Sequence, residues 1–312
     1  MGLEKLKTVL KNPLSGNSLE LKTPIIGASG TYGYNSEFED FIDLNCLGAI
    51  ATKGITIEKR FGNSGERLFE VENGLINRIG LENIGIKRFI EEKLPVLREK
   101  KIDFLLNIAG STEKDYEILA SIASDNNIKA LEVNVSCPNV KQGCLEFGLN
   151  PESLFRLIKL VRKNYQGFLI VKLSPNTTDI KPLATAVEKA GADCISAINT
   201  VRGLGVKIDY LGNKFIKKCT SGGLSGPCVK PVALYMASEI KRVAKIPLIA
   251  IGGISTLRDL FEFIYVGADA FQIGTANFIN PGICSMLVNQ LNDFMEKNNF
   301  SNLEELKKAI KE

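Results

Sequence analysis

Eight short apolar runs, separated by segments of helical periodicity, recur along this chain of 312 residues and constrain its fold more than any other feature. Each run is nearly continuous in apolar residues, which is typical of parallel strands that are buried on both faces. The runs lie at 24–27, 49–52, 104–108, 130–135, 169–173, 194–198, 248–251 and 270–274. Eight strands that alternate with helices predict an α/β fold, a single (β/α)8 TIM barrel that spans residues 1–312 as one domain. An open, doubly wound sheet is the alternative.

The segments between the runs carry the signals of helix ends. Asn150 and Pro151 form a cap followed by a proline at the first helical position. Two short segments, 190–193 and 266–269, place the tripeptide Gly-Ala-Asp at the same point, between a helix and the following strand. We interpret this recurrence as helix-to-strand punctuation and not as a binding site.

Two stretches do not belong to a bare barrel. Residues 1–23 contain a turn at 12–17 between short extended pieces, which predicts a short N-terminal extension that closes the bottom of the barrel. Residues 201–229 contain the sequence Leu211-Gly212-Asn213-Lys214, which is typical of a hairpin turn. Because this second stretch follows strand six, we expect an inserted hairpin region over the active face.

The composition excludes several kinds of chemistry, since the chain contains no histidine. It can form neither a Ser-His-Asp triad nor a metal site with histidine ligands. The 39 Lys and Arg residues and 35 Asp and Glu residues give a net charge of only +4, without the basic stripe of a nucleic-acid-binding surface.

The seven cysteines include no Cys-x-x-Cys spacing, so we expect neither a bound metal nor an iron–sulfur cluster held by this chain. No apolar run approaches the roughly 18 residues of a membrane span, and the N-terminus carries no apolar signal core. We therefore expect a cytoplasmic protein with reduced thiols.

Polar side chains stand at the ends of several predicted strands, where the active sites of these barrels are built. A single asparagine or lysine at such a place usually meets solvent or caps a loop. Several of them at one rim would instead offer amide groups and fixed positive charge to a planar polar ligand. The residues in question are Lys53, Asn107, Asn134, Lys172 and Asn199.

Glycines follow the last two strands, at Gly252-Gly253 and at Gly274-Thr275. In barrels of this kind the loops after strands seven and eight bind phosphate through backbone N–H groups, and glycine lets the backbone approach closely. Simple tight turns are the alternative interpretation. A phosphate at these loops, with a planar ring nearer the barrel centre, would suggest FMN.

Cys137 follows the fourth strand and precedes Pro138 in a loop that contains Gly143 and Gly148. A cysteine is most often a small buried apolar residue. In a chain without histidine, however, a thiol with an ordinary pKa of about 8.5 is a credible general base.

Several motifs in this order resemble the dihydroorotate dehydrogenase family over residues 3–290. They are Asn77-Arg-Ile-Gly-Leu-Glu-Asn83, Val133-Asn-Val-Ser-Cys-Pro-Asn-Val-Lys141, Val171-Lys-Leu-Ser-Pro-Asn176 and Gly222-Gly-Leu-Ser-Gly-Pro-Cys-Val-Lys-Pro231. The cysteine at 137 is similar to that of class 1, and the motifs around it resemble the NAD-linked type 1B catalytic subunit.

The resemblance implies an FMN-dependent oxidation of (S)-dihydroorotate to orotate in pyrimidine (UMP) biosynthesis, with Cys137 as the catalytic base. It implies that substrate is held by Lys53, Asn77, Arg78, Ile79, Gly80, Leu81, Asn134, Asn199 and Thr200. It implies that FMN is held by Ser29, Lys53, Gly54, Asn107, Asn134, Lys172, Ile198, Gly226, Gly252, Gly253, Gly274 and Thr275. It also implies a homodimer joined by a partner subunit with FAD and a [2Fe–2S] cluster, through which electrons reach NAD.

Two other functions remain open at this point. An FMN-dependent dihydropyrimidine dehydrogenase subunit would act on uracil or thymine, which have no carboxylate for Lys53 to balance. A barrel that binds a phosphate ligand without redox activity would be colourless.

Overall fold

The structure, a computed structural model, describes residues 3–34, 44–136, 147–212 and 214–312. Its strands are β1 Thr8–Lys11, β2 Ser18–Leu21, β3 Ile25–Gly27, β4 Ala49–Ala51, β5 Leu68–Val71, β6 Gly74–Asn77, β7 Phe104–Ile108, β8 Ala130–Asn134, β9 Phe168–Leu173, β10 Cys194–Ala197, β11 Val201–Leu211, β12 Lys214–Ser225, β13 Leu248–Ile251 and β14 Ala270–Ile273. Its helices are α1 Ile86–Arg88, α2 Leu94–Glu99, α3 Glu113–Asp125, α4 Pro151–Asn164, α5 Lys181–Lys189, α6 Lys230–Val243, α7 Leu257–Tyr265, α8 Ala276–Ile279, α9 Ile283–Lys297 and α10 Leu303–Lys311. A π turn at Phe89–Lys93 joins α1 to α2, and single 3-10 turns lie at Glu4–Leu6, Leu44–Cys46 and Pro227–Val229.

Eight parallel strands close into a barrel in the order β10-β13-β14-β3-β4-β7-β8-β9. The last strand pairs with the first, since Phe271 and Gln272 of β14 stand opposite Ile25 and Ile26 of β3. This closure confirms the (β/α)8 barrel and excludes the open sheet. Each of the eight predicted strands is present, with its ends within one residue of the predicted bounds.

The N-terminal hairpin of β1 and β2 closes the lower end of the barrel. Leu10 and Leu21 are buried in the same apolar cluster as Ala130, Ile170 and Cys194 of the barrel strands. Because this cluster lies inside the ring of strands, the hairpin acts as an apolar floor. The larger apolar cluster lies outside the ring, between the strands and the helices.

A separate antiparallel sheet has the order β11-β12-β6-β5. The inserted hairpin after the sixth barrel strand is therefore confirmed as β11 and β12, although Asn213 of its predicted turn lies outside the described residues. The sequence did not indicate β5 and β6, a hairpin whose turn places Asn73 at a φ of 54°. Pairing of Leu224 with Ile76 joins the two hairpins.

The two Gly-Ala-Asp segments have the same geometry. Gly191 and Gly267 both adopt a φ of +99°, which a residue with a side chain rarely adopts. The two aspartates then accept a backbone N–H at the start of a neighbouring strand, Asp193 from Leu169 and Asp269 from Leu248, at 2.9 Å in both cases. These contacts agree with the interpretation as helix-to-strand punctuation.

Asp193 also anchors the N-terminal extension. Its side chain is buried and accepts a hydrogen bond from Arg162 at 2.8 Å. Its other oxygen accepts from Asn12, Ser15 and Asn17, all in the turn between β1 and β2. One carboxylate therefore holds the barrel, α4 and the floor together.

Within the described ranges, no helix is both long and apolar enough to cross a bilayer.

We expect Asp193→Ala to lower the free energy of unfolding by about 3 kcal/mol, because the substitution leaves the charge of Arg162 and several donors without their partner. Asp269→Ala is the matched control, since Asp269 has the same position but its side chain is 28% exposed, against 1% for Asp193. Urea unfolding followed by circular dichroism measures both. Equal losses for the two variants would contradict the anchoring role of Asp193.

Candidate functional site

The carboxyl ends of the barrel strands bring most of the sequence-predicted site residues to one rim. Three of them lie at the ends of strands: Asn134 is the last residue of β8, and Asn107 and Lys172 are the last but one of β7 and β9. Others follow the barrel strands closely: Ser29 after β3, Lys53 and Gly54 after β4, Ile198, Asn199 and Thr200 after β10, Gly252 and Gly253 after β13, and Gly274 and Thr275 after β14. Residues 77–81 and Gly226 instead lie at the ends of β6 and β12 in the separate sheet. Cys137 lies outside the described residues, one position beyond Ser136.

Two amides at the rim bind one another. Asn199 donates from Nδ2 to Oδ1 of Asn134 at 3.1 Å, and the same oxygen accepts the backbone N–H of Ser136. The carbonyl oxygen of the Asn199 side chain accepts the N–H of Thr200 at 2.8 Å. These bonds fix the orientation of the Asn134 amide and direct its NH2 group away from them, where it can donate to a ligand.

Lys172 is a buried cation on β9, and only 6% of it is exposed. It stands beside Asn134 of β8 and Ser196 of β10 in the ladder. Among the described residues, its ammonium group has no hydrogen-bond or ion-pair partner. Burial of an unpaired charge is costly, so a ligand with negative charge at this place would be stabilised.

A layer of polar side chains lies inside the barrel beneath this rim. Asn107 donates from Nδ2 to Glu132 at 2.6 Å, and its Oδ1 is buried without a partner in the described structure. Glu132 was not among the predicted site residues. A signal for it is present in the sequence, because it is the one charged residue in the otherwise apolar run 130–133.

The glycine loops converge on the first turn of α6. Gly253 has a φ of +74°, and a Cβ there would lie 2.6 Å from Cβ of Lys230. Gly252 has a φ of +125°, and a Cβ there would lie 2.9 Å from Cβ of Ala233. Gly226, with a φ of +103°, precedes the same helical segment. The backbone of Gly252 and Gly253 thus packs directly against the start of α6. Backbone N–H groups at such a loop and at a helix start can bind phosphate.

Thr275 connects the last strand to this region. Its Oγ1 donates to Oγ of Ser225 at 2.7 Å, where β12 ends. Gly274 leaves open space, since a Cβ there would meet only Ala28 at 3.7 Å. Ser29 donates to the carbonyl oxygen of Thr52 at 2.7 Å and so joins the ends of the first two barrel strands.

The loop 77–81 is held over the rim by bonds from both sides. Asn77 donates to the carbonyl oxygen of Gly223 at 3.0 Å, and the carbonyl oxygens of Arg78 and Ile79 accept from Asn63 at 2.7 and 2.9 Å. Gly80 and Leu81 have φ values of +78° and +55°. These two residues turn the chain sharply.

The turn at residues 80 and 81 brings the loop to Lys53 and Gly54. A Cβ on Gly54 would lie 3.5 Å from Cδ2 of Leu81, and the Lys53 ammonium lies 3.9 Å from Glu82. Arg67 holds the same carboxylate at 2.5 Å. This bond, together with the charge of Lys53, lowers the pKa of Glu82 below its usual value. Glu82 is thus engaged more closely by Arg67 than by Lys53.

Within the described ranges, no group of three or more Cys, Asp and Glu side chains is placed to hold a metal ion.

Comparison with known proteins gives one consistent family. The profile of the family described as dihydroorotate dehydrogenase matches residues 10–295. The chain belongs to the dihydroorotate dehydrogenase family. This is a family of flavin-dependent oxidoreductases.

Several relatives carry the same name, "Dihydroorotate dehydrogenase B (NAD(+)), catalytic subunit". The protein from Porphyromonas gingivalis is 43% identical over 292 residues, which are 93% of this chain and 94% of that protein. The protein from Parabacteroides distasonis is 44% identical over 294 residues, 94% of this chain and 96% of that protein. The protein from Thermoanaerobacter sp. is 43% identical over 293 residues, with 94% and 96% covered.

We expect Gly80→Ala to destabilise the loop 77–81 more than its backbone angle alone would cause. Gly16 is the matched control, because its φ of +80° is nearly the same but no atom lies within 4 Å of an added Cβ. Gly16→Ala should cost about 1 kcal/mol from the left-handed backbone. Gly80→Ala should cost clearly more, since its Cβ would lie 2.6 Å from the backbone nitrogen of Asn63. Urea unfolding of both variants is the measurement, and equal losses would show that Asn63 gives way.

Proposed function

We propose that this chain is the cytoplasmic catalytic subunit of an NAD-linked dihydroorotate dehydrogenase, and that residues 1–312 form one FMN-binding barrel domain. It would oxidise (S)-dihydroorotate to orotate in pyrimidine biosynthesis. The observation that carries the proposal is the largely buried side chain of Lys172, whose ammonium group has no partner within the described residues, beside the mutually bonded amides of Asn134 and Asn199. The family membership and the names of the relatives support the same reaction.

The described residues fit FMN. The flavin ring needs hydrogen-bonding groups at its polar edge, and Asn107 Oδ1 is a buried acceptor without a partner in the described structure. Reduced flavin gains negative charge, which the Lys172 ammonium would stabilise. The phosphate needs backbone N–H groups, for which the close glycine loops are suited. The proposed FMN residues are Ser29, Lys53, Gly54, Asn107, Asn134, Lys172, Ile198, Gly226, Gly252, Gly253, Gly274 and Thr275.

The substrate is a six-membered ring with a carboxylate, and the rim offers groups for both. Lys53 would bind the carboxylate, because Glu82, its nearest acidic neighbour among the described residues, is held by Arg67. The loop 77–81 would cover the ring, while Asn134, Asn199 and Thr200 would hydrogen-bond its polar edge. This set favours dihydroorotate over dihydrouracil, which has no carboxylate.

The chemistry breaks two C–H bonds and forms one C=C bond. The thiolate of Cys137 would take the proton from the carbon next to the ring carbonyl. FMN, when bound, supplies the acceptor for the hydride that leaves the neighbouring carbon. The other residues hold the ring in place and exclude water from it.

We expect the purified chain to be yellow, and its visible flavin band to bleach when dihydroorotate is added without oxygen. The physical reason is that the hydride leaves the substrate for the flavin. An anaerobic absorbance titration measures this directly. If the yellow protein bleaches only with dihydrouracil, its substrate is a dihydropyrimidine and not dihydroorotate. A colourless protein that cannot bind added FMN would overturn the proposal.

Cys137→Ala separates the base from the cofactor site in the same titration. It should keep FMN and reduce it at least about a hundredfold more slowly, as expected for the loss of a general base. Cys219→Ala is the control, because Cys219 is an exposed thiol on β12. Unchanged reduction in Cys137→Ala would remove this thiol from the mechanism.

We also propose that the chain forms a homodimer and passes electrons to NAD through a partner subunit with FAD and a [2Fe–2S] cluster. The "catalytic subunit" in the relatives' names supports a separate partner. The exposed apolar side chains of the β11–β12 hairpin support the proposal that this hairpin contacts another protein chain. One face of it carries Leu204, Val206, Ile208, Tyr210 and Phe215, each more than half exposed.

We expect the isolated chain to reduce NAD poorly. We expect the double substitution Val206→Lys and Ile208→Lys to weaken either the homodimer or the complex with the partner subunit. Lysines on an apolar face cannot be buried without a large desolvation cost. Light scattering of the isolated chain and NAD reduction with the partner subunit are the two measurements. Leu14→Lys, at an exposed apolar residue in the β1–β2 turn, is the control. Full NAD reduction by the isolated chain would exclude the partner, and unchanged assembly in both measurements would exclude the hairpin face.

A further inference from the structure

A fully buried carboxylate inside the barrel is not used by the proposed reaction. Glu132 accepts hydrogen bonds from Asn107 at 2.6 Å, from Gln272 at 2.6 Å and from Ser196 at 2.8 Å. Gln272 belongs to β14, on the opposite side of the barrel from β8, so these bonds cross the interior. Within the described residues no lysine or arginine forms an ion pair with Glu132.

The two carboxylate oxygens have separate partners. Oε1 accepts from Gln272 and Ser196, whereas Oε2 accepts only from Asn107. Because a carboxylate has no proton to donate, Asn107 must turn its NH2 group toward Oε2. Its carbonyl oxygen, Oδ1, is then directed away from Glu132.

The position of Asn107 Oδ1 is fixed by its surroundings. The backbone N–H of Asn107 donates to Oγ1 of Thr52 at 3.0 Å. Oδ1 faces the loop after β4, since a Cβ on Gly54 would lie 3.1 Å from it. This atom is buried and has no partner in the described structure. A buried acceptor of this kind is satisfied when a ligand donates to it.

We propose that Glu132 is a positioning residue, which holds the amide of Asn107 so that Oδ1 accepts a hydrogen bond from an N–H group of the flavin ring. The inference rests on the proposed function, because it requires FMN at the rim. It adds a residue that does not touch the cofactor but decides whether Asn107 presents an acceptor or a donor to it.

Glu132→Gln tests this with almost no change of shape. The remaining oxygen can occupy the place of Oε1 and keep the bonds from Gln272 and Ser196. The new NH2 group then occupies the place of Oε2 and faces Asn107. Asn107 must turn its carbonyl oxygen to that group, and its NH2 group is directed toward the flavin. We expect the dissociation constant of FMN to rise about tenfold, as for one lost buried hydrogen bond.

A second substitution should restore binding. In the variant with both Glu132→Gln and Asn107→Asp, the new carboxylate at position 107 accepts from the new amide at position 132 with one oxygen and offers its other oxygen to the flavin. The FMN dissociation constant should return to within about threefold of the unsubstituted chain, although Asn107→Asp alone places two carboxylates together and weakens binding. Such a rescue is not expected from a merely structural role.

Ser196→Ala is the matched control, because it removes a bond to Oε1 and leaves the Oε2–Asn107 contact in place. It should bind FMN within about twofold of the unsubstituted chain, because the contact that orients the Asn107 amide is kept. The readout is quenching of FMN fluorescence as apoprotein is added, together with the melting temperature of each variant.

The outcomes separate the two proposals. If the unsubstituted chain fails to bind FMN, both the proposed function and the role of Glu132 are wrong. If it binds FMN and Glu132→Gln binds equally well, only the role of Glu132 is wrong. Weakened binding that Asn107→Asp does not restore would likewise overturn the positioning role.

Discussion

Closure of eight parallel strands is the constraint on which the rest of the molecule depends. In a strand, residues two apart face the same side, so a closed barrel sorts its inward side chains into layers. On β8 these layers are Ala130, Glu132 and Asn134, and on β9 Ile170 and Lys172 stand level with Glu132 and Asn134. The interior therefore changes from apolar at the floor to polar and charged toward the rim.

This layering explains how charged groups can lie inside an otherwise apolar barrel. Glu132 is stabilised by three neutral donors, whereas Lys172 has no partner among the described side chains. The carboxylate is thus satisfied by its neighbours, whereas a ligand with negative charge would stabilise the ammonium. The same polar layer leaves oxygens of Asn107 and Gln272 unpartnered in the described structure. Because Glu132 binds the NH2 group of Asn107 inside the barrel, the oxygen of that amide is left free to accept a hydrogen bond from a ligand.

The barrel strands could be predicted from the sequence because their burial on both faces makes each one a continuous apolar run. The polar residues at their ends followed from position, and their roles from the resemblance to the family. The β5–β6 hairpin was missed, since its strands are four residues long and half-exposed, and no apolar run marks them. The loop 77–81 could not be built from sequence either. Its course depends on Asn63 and Gly223, which are distant in the chain.

Glu132 shows a different limit of sequence reasoning. A charged residue in an apolar strand indicates a buried polar contact, but its partners lie on β7, β10 and β14 and become neighbours only in the closed barrel. A pattern within one strand cannot identify partners on three others. The cysteine motif is the opposite case, because residue 137 stands out in the sequence while its surroundings lie outside the described residues.

Strand β12 connects three parts of the molecule that are separate in the sequence. Gly223 pairs with Asn77 at the start of loop 77–81, and Ser225 accepts from Thr275 beside the glycine loops. Residues 214–221 of the same strand pair only with β11 and form the exposed hairpin. A protein chain that covered the hairpin would therefore contact the same strand that holds Asn77 of loop 77–81. The apolar face of the hairpin and Asn77, the first residue of loop 77–81, therefore lie on one continuous sheet.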